Sequence, residues 1–301
     1  MTRNFFAKLP YWSDEAVKAL AFLALGIGVS FLLLMIVFVL RESSLGPGFS
    51  MSLFDFLVMK PWAPMATPPS HGILHAWIST LVITGLSLSL AIPLGFGIGL
   101  FLSEVAPRWI QQAMQPALEI LAGIPAVVYG FFGYVTLVRN FETWFDMPAG
   151  ECLLIAGLIL AVMVLPFVAS TAAEAFRSVS QDLREMAYGL GVTQLYVTRR
   201  VLLRKALPGL FGAVALGLAR ALGETLAVLM LAGNSVAVPH SLLDRGQPIT
   251  ALLATELGET VVHSAKYQAL FASGLILMIV VLGINVMIWT LKHRFLERSD
   301  A

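Results

Sequence analysis

"CLLIAGLILAVMVLPFVASTAAEAFRSVSQDLREMAYGLG" occupies residues 152–191 and changes character once, at Glu174. Residues 152–173 carry no charge, and at 1.5 Å per residue such a run is long enough to cross ~30 Å of hydrocarbon as a helix. Beyond it the chain turns polar, yet Leu183, Met186, Ala187 and Leu190 recur at i, i+3, i+4 and i+7, the period of a short helix with one apolar face. A membrane crossing that runs straight into a charged amphipathic helix sets how the remaining sequence is read.

The chain has 301 residues, 58% hydrophobic and 12% charged, with a mean hydropathy of +0.85. That composition excludes an ordinary soluble domain. Comparable apolar runs occupy residues 19–40, 76–102, 120–138 and 269–291, and a sixth, 206–233, has the length but contains Arg220 and Glu224. The expectation is an all-α membrane protein with six transmembrane helices. The first run is too long for the core of a cleaved signal and is followed by the polar "RESSLGPG" (41–48), so it is expected to be retained. One cysteine, Cys152, excludes an internal disulfide and leaves no metal cluster to propose. No cofactor is expected, and a net charge of +1 points to no nucleic-acid partner.

With six crossings both termini share one face. Placing them in the cytoplasm gives that side Arg3, Lys8, Lys18, Arg108, Arg177, Arg184, Arg199, Arg200, Arg204, Lys205, Lys292, Arg294 and Arg298, and leaves Arg41, Lys60, Arg139, Arg245 and Lys266 outside. The positive-inside rule favours this orientation. The resulting map is a cytoplasmic leader (1–16), a first transmembrane helix (17–40), a transmembrane domain (70–293) and a cytoplasmic tail (294–301). Within the domain the crossings are about 76–102, 117–138, 152–173, 206–233 and 269–291, with a cytoplasmic segment at 174–205. Residues 41–75 read as an external loop with at most a short helix. The brief loop 103–112 makes the second and third crossings antiparallel neighbours.

Pro93, Pro125 and Pro166 fall inside crossings and are expected to bend them. Glycines at 95, 97, 99, 209, 212, 217 and 223 suit close helix packing, though such residues are common in membrane helices. His71 and His75 are spaced i, i+4 but have no carboxylate or thiol companion, so they read as interfacial polar residues rather than metal ligands. Glu119 reads as an interface anchor and Asn285 as an interhelical hydrogen bond.

The segment after Ala173 is too long for a simple connection and carries six basic residues. Ser178 and Gln181 have the spacing of a capping box, so a helix is expected from about Gln181. Gly189 and Gly191 are expected to end it, and Thr193 to cap a second helix running toward the membrane. Periodicity fits equally a rigid knob of two short helices and an amphipathic loop lying on the membrane surface.

"EMAYGLGVTQLYVTRRVLLRKALPG" (185–209) resembles the E-A-A-x-x-x-G signature of the membrane subunits of ATP-binding-cassette importers. Glu185, Ala187 and Gly191 match its letters, and Met186 replaces the middle alanine. Val201 and Leu203 fit the apolar positions that follow; Arg204 stands where proline is usual, with Pro208 four residues later. "LEILAGIPAVVYGFFG" (118–133) and "RALGETLAVLMLAGN" (220–234) are similar to segments of phosphate-specific importer permeases, the PstC type more than its PstA partner. The resemblance implies the type I importer permease (MetI-like) fold, with Glu185, Met186, Ala187 and Gly191 on a coupling helix that docks on an ATPase dimer. It also implies a second, PstA-like permease subunit, though a homodimer stays open, and an external phosphate-binding protein docking on loops 41–75 and 234–268. The chain itself has no G-x-x-x-x-G-K-[ST] phosphate cradle, so ATP must be hydrolysed by another chain.

An arginine facing lipid at mid-membrane costs ~3 kcal/mol, so Arg220 is expected to face the bundle interior or water with Glu224 beside it on the same helix face. Gly217 and Ala213 would leave space next to the pair. A guanidinium matches phosphate oxygens in a two-bond fork, and a competing carboxylate would keep the site weak enough to release the ion. The alternative is an ion pair that only fixes helix packing. The expectation is a permease subunit, not an enzyme, importing inorganic phosphate across the bacterial inner membrane. Molybdate, tungstate or sulfate transport, an ion-coupled transporter working through the same pair, and a membrane enzyme are the competing readings. No inverted repeat supports the second, and no H-E-x-x-H or G-x-S-x-G the third.

Overall fold

A computed structural model describes residues 14–43, 54–59, 61–146 and 148–299. Arg3, Lys8, Lys60 and most of the expected leader lie outside them. The chain runs through α1 (Asp14–Glu42), a two-stranded antiparallel ladder of β1 (Trp62–Ala63) and β2 (Ser70–His71), then α2 (Leu74–Leu100), α3 (Arg108–Gly123), α4 (Ala126–Gly133) and α5 (Arg139–Trp144). There follow α6 (Leu153–Arg177), α7 (Gln181–Gly189), α8 (Gln194–Tyr196), α9 (Leu203–Leu222), α10 (Leu226–Leu231), α11 (Ile249–Glu256) and α12 (Ala265–Ser299). Besides the expected short helix, here a π-helical turn at Asp55–Met59, the first loop therefore holds a strand ladder.

Among the described residues, five helices are long and apolar enough to cross a membrane: Glu15–Glu42, Leu74–Val105, Leu153–Arg177, Gln194–Leu222 and Ala265–Arg294. A sixth crossing is available only as the pair Arg108–Gly123 and Ala126–Trp144, which meet at 87°. The third expected crossing is thus broken, and Pro125 is the cause. Proline forces its predecessor out of the helical region, and Ile124 is extended at ψ 129°. The Tyr129 hydroxyl donates to the Leu121 carbonyl across the corner at 2.9 Å, satisfying one of the acceptors that the break exposes. Pro93 and Pro166 behave otherwise. α2 and α6 run unbroken through them, as membrane helices do when neighbouring helices and local adjustment accommodate the lost bond.

The fifth expected crossing is displaced. It begins at Gln194 rather than 206 and stops at Leu222 rather than 233. A π-helical turn at Val197–Leu202 joins α8 to α9, so the basic stretch 199–205 lies on the second helix expected after Thr193, and that helix continues without a break into the apolar run. The chain then leaves the helix at Gly223 and restarts as α10.

α6 is the hub. Two thirds of its most apolar window is buried (67%), against none of α1's, which is why α6 is apolar on every side. Its neighbour is α2, and not α3 beside α2 as the short loop suggested; α3 lies against α6 instead. The α2–α6 approach is set by glycines. A Cβ on Gly99 would lie 2.7 Å from the Ala172 Cβ and 2.8 Å from the Ala173 nitrogen, and one on Gly95 would strike Val168. α9 comes against the same helix through Gly209 at Ala175 and Gly217 at Val168. α12 carries α1 at its rim, where Phe38 and Phe271 meet edge to face at 5.7 Å. Among the described residues, Asn285 bonds back to the Val281 carbonyl within α12 (2.8 Å) and not across to another helix; that carbonyl, one turn away, has a second lone pair within the side chain's reach.

At the end of the bundle away from α7, residues 232–246 fold over the start of α6. The N–H groups of Cys152, Leu153 and Leu154, orphaned at a helix start, donate to Leu231, Asp244 and Leu242 carbonyls at 3.0, 3.0 and 2.8 Å. The Asp244 carboxylate accepts from the His240 and Ser241 N–H groups at 2.7 and 2.8 Å, and these bonds hold it below the usual carboxylate value of 3.8. A lowered folded value means the bonds stabilise the loop above that range and are lost as pH falls through it.

Gly99→Val is expected to destabilise the detergent-solubilised protein by about 1–3 kcal/mol through overpacking against backbone. Gly97→Val, where nothing lies within 4 Å, should leave the melting curve unchanged; equal melting of the two would refute the close-approach account. Amide exchange at residues 240–244, corrected for intrinsic rate, should hold steady from neutral pH downward and accelerate only below about pH 4. In Asp244→Asn that acid step should disappear.

Candidate functional site

Arg220 and Glu224 lie at the helix break, not in the middle of a crossing. Arg220 occupies the last turn of α9, Gly223 follows as its cap, and Glu224 precedes α10. Their ion pair closes at 2.7 Å (Nη1 to Oε2), with the Glu224 side chain only 4% exposed and the Arg220 side chain 32%. Glu224 has further partners. Its Oε1 accepts from the Ala227 N–H at 3.3 Å, and its carbonyl accepts from the Thr250 hydroxyl of α11 at 2.8 Å. Glu224 is therefore a fixed anchor that also caps the new helix.

Arg220 is held at one edge only. Its guanidinium carbon stands 5.8 Å from the Phe167 ring centroid on α6, within cation–π range. Its remaining donors take no other hydrogen bond among the described residues and point where the side chain is part-exposed. Gly217 and Ala213 do not leave room beside the pair; both are buried at the α9–α6 contact, and a Cβ on Gly217 would meet Val168. Smallness there brings helices together.

The segment between α6 and α9 is a packed knob. Ala187, Val179, Phe176, Val197 and Leu202 form one apolar cluster with Ala172, Ala206 and Leu210, so α7 is seated on the ends of α6 and α9. That excludes a loop lying loosely on lipid. Gly191 turns the chain with φ +74°, the left-handed exit a helix cap uses, and the Thr193 hydroxyl accepts from the Tyr196 N–H at 3.4 Å, capping α8. Ser178 is not the cap of α7. Its hydroxyl is spent on the Ala175 carbonyl at the end of α6 (2.8 Å), and Ser180 takes the cap position without a side-chain bond. Gln181 instead reaches Glu185 (3.1 Å) one turn on.

Of the residues singled out on this knob, Ala187 faces inward, while Glu185, Met186 and Gly191 face outward. Met186 and Leu190 are 63% and 82% exposed, and Leu195 and Tyr196 extend the same uncovered apolar face. An exposed patch of this kind marks a surface for a partner.

Two residues had no signal in the sequence reading. Arg184 Nη1 meets both Glu104 oxygens at 2.6 and 2.5 Å, Nη2 donates to the Phe176 carbonyl at 2.7 Å, and Nε to the Val179 carbonyl at 3.3 Å. Both side chains are largely buried. Eighty positions separate the two, and no spacing rule joins residues so far apart.

His71 and His75 fall on β2 and α2 and so do not share a helix face; no metal-binding group of three is found among the described residues. Burial, with Lys266 nearby, lowers the His71 pKa. Glu119 lines an open cavity of about 680 Å³ with Arg108, Gln111, Gln115 and Arg177, and so borders a polar recess on α3.

Residues 91–293 match the family described as "Binding-protein-dependent transport system inner membrane component". The chain is 38% identical over 228 residues to the permease protein YqgH of Bacillus subtilis, covering 76% of this chain and 74% of that one. To the phosphate transport system permease protein PstC of Haemophilus influenzae it is 36% identical over 245 residues, covering 75% and 76%. Its fold is shared with a chain of a bacterial alginate ABC transporter (TM-score 0.61, 18% identity, 94% and 97% coverage). It is likewise shared with a chain of the MetNI methionine ABC transporter in an inward-facing conformation (TM-score 0.57, 19% identity, 74% and 95% coverage).

Proposed function

The chain belongs to the inner-membrane components of binding-protein-dependent transport systems, as a PstC-like multi-pass permease, and from that premise we propose that it carries inorganic phosphate inward past Arg220. The observation that carries this reading is a guanidinium fastened at one edge to a buried carboxylate and free at the other. Phosphate near neutral pH is a mono- or dianion whose oxygens fit that free edge. Glu224 Oε2 is held by Arg220 and Oε1 by the Ala227 N–H, so both oxygens of the buried carboxylate are occupied while the far edge of the guanidinium stays free. An arriving anion can therefore be met by the free edge of Arg220 with the ion pair still closed, so no bare buried charge is left behind.

Energy enters at the other end of the same rod. Gln194–Leu222 is one continuous helix of about 43 Å, with the knob at its start and Arg220 in its last turn. A cytoplasmic ATPase dimer gripping the outward face around Glu185, Met186, Ala187 and Gly191 would move this rod as it binds and releases ATP. This orientation puts both termini and the knob in the cytoplasm and the loop 232–246 outside, where an external phosphate-binding protein delivers the ion. A PstA-like second permease subunit completes the wall, in keeping with the uncovered apolar faces of Ile120, Val127, Val128, Phe131 and Phe132 around the broken crossing. The chain itself performs no covalent chemistry. Neither another oxyanion nor an ion gradient is favoured, given relatives that are phosphate transport permeases.

In the assembled transporter, Arg220→Ala should lower phosphate uptake by about ten- to a hundred-fold, the worth of charge-assisted bonds to the ion, while still co-purifying with its ATPase. Normal uptake by that variant would end the pathway role. Glu224→Gln keeps an acceptor for the Ala227 N–H but removes the competing charge, so phosphate should half-saturate uptake at lower concentration and the maximum rate should fall. An unchanged pair of constants would mean that Glu224 only packs.

A further inference from the structure

Every nitrogen of the Arg184 guanidinium donates, and each to a different part of the scaffold. Glu104 lies in the π-helical turn Phe101–Val105 that ends the α2 crossing; Phe176 is in the last turn of α6; Val179 lies in the short turn between α6 and α7. Arg184 itself projects from α7. One side chain thus joins the ends of two crossings to the knob. It supplies donors to carbonyls that a helix end leaves orphaned, and it neutralises a carboxylate whose side chain is 6% exposed.

The other attachments of α7 do not fix its direction. Ala187 and its neighbours give apolar packing, which is non-directional, and the turns at 178–180 and 190–193 are held by local bonds, such as Ser178 to Ala175 and Gly191 to Tyr188, that do not tie α7 to the α2 crossing. A planar fork bonded on three sides does fix it. Lysine cannot replace the fork, because a single ammonium cannot reach Glu104 and two carbonyls in one plane. α2 and α6 are themselves locked by Gly95 and Gly99, so a side chain bound to both binds one body.

We propose that Arg184 and Glu104 form a clasp that makes α7 move as one piece with the α2–α6 body, so that a pull on α7 displaces the crossings instead of bending the turns beside it. This deepens the importer reading and rests on α7 being the ATPase-docking helix. Arg184 and Glu104 are positioning residues; neither meets phosphate. Without the clasp, the ATPase docked on α7 still binds and hydrolyses ATP, but the stroke is lost in the turns.

The test uses the whole transporter, with its ATPase, second permease and binding protein, in proteoliposomes, and reads labelled phosphate delivered per ATP hydrolysed. Glu104→Gln keeps the side chain's shape and leaves the carbonyl bonds of Arg184 in place; Arg184→Lys keeps the charge and loses the fork. Each should leave ATPase co-purification and hydrolysis intact and lower phosphate per ATP about ten-fold, the scale by which residues along a coupling route change coupling. An unchanged ratio in both overturns the clasp. So does failure of Glu104→Gln to hold the ATPase, which would make the pair a folding or docking device; if only Arg184→Lys fails to assemble, Glu104→Gln decides. A wild-type complex that binds no ATPase or accumulates no phosphate rejects the importer reading itself, before any variant is compared.

Discussion

Within hydrocarbon an apolar helix gains little by exchanging lipid for another helix, so α2, α6 and α9 stay together only where their backbones come close enough for dispersion and shape to act. Glycine makes that possible. Gly95 and Gly99 on α2 and Gly209 and Gly217 on α9 each meet α6 at distances that leave no room for a methyl group. α6 is consequently buried on both flanks, and the three helices behave as a block whose parts cannot slide independently. Outside it lie α1 at the rim and the broken α3–α4 pair, whose apolar faces are largely exposed.

Charge is then arranged at the two ends of that block. At one end every nitrogen of the Arg184 guanidinium is bonded, to Glu104, to the Phe176 carbonyl in the last turn of α6 and to the Val179 carbonyl just beyond it. At the other, Arg220 is closed on one side and open on the other. A buried ion pair contributes little net stability, because desolvation offsets attraction, but breaking it by removing one partner is expensive. The difference in closure therefore separates their uses. A guanidinium bonded through every nitrogen is fixed in place, whereas one bonded at a single edge has donors left over.

The apolar runs were legible because lipid imposes a length and excludes charge, and the knob was legible because Leu183, Met186, Ala187 and Leu190 keep helical period while Gly191 and Thr193 mark its exits. Hydropathy misplaced the fifth crossing. It discards a turn that carries Arg199, Arg200, Arg204 and Lys205, although backbone hydrogen bonding continues through it, and it cannot see that Glu224 will cap a new helix and so end the old one. Prolines 93, 125 and 166 look alike in sequence. Only Pro125 breaks its helix, beside Gly123 and at a corner closed by the Tyr129 hydroxyl. Glu104 and Arg184 are the clearest case of what sequence cannot give, since their pairing exists only once α2 and α6 lie side by side. Ser178 failed for a local reason: the end of α6 claimed its hydroxyl first.

The break at Gly223 also bears on why the pair sits there and not in mid-helix. Aligned peptide dipoles leave partial negative charge at the C-terminal end of α9, which favours a cation, and unsatisfied N–H groups at the start of α10, which favour an anion. Arg220 occupies the first environment and Glu224 the second. Each charge thus has a favourable backbone end beside it as well as its partner, and Glu224 also accepts the Ala227 N–H. In an unbroken helix the same two residues would depend wholly on each other, and parting them would carry the full penalty of a buried unpaired charge. A helix that ends beside Arg220 therefore lessens that dependence, and the continuous helix from Gln194 to Leu222 places the pair at the far end from the knob.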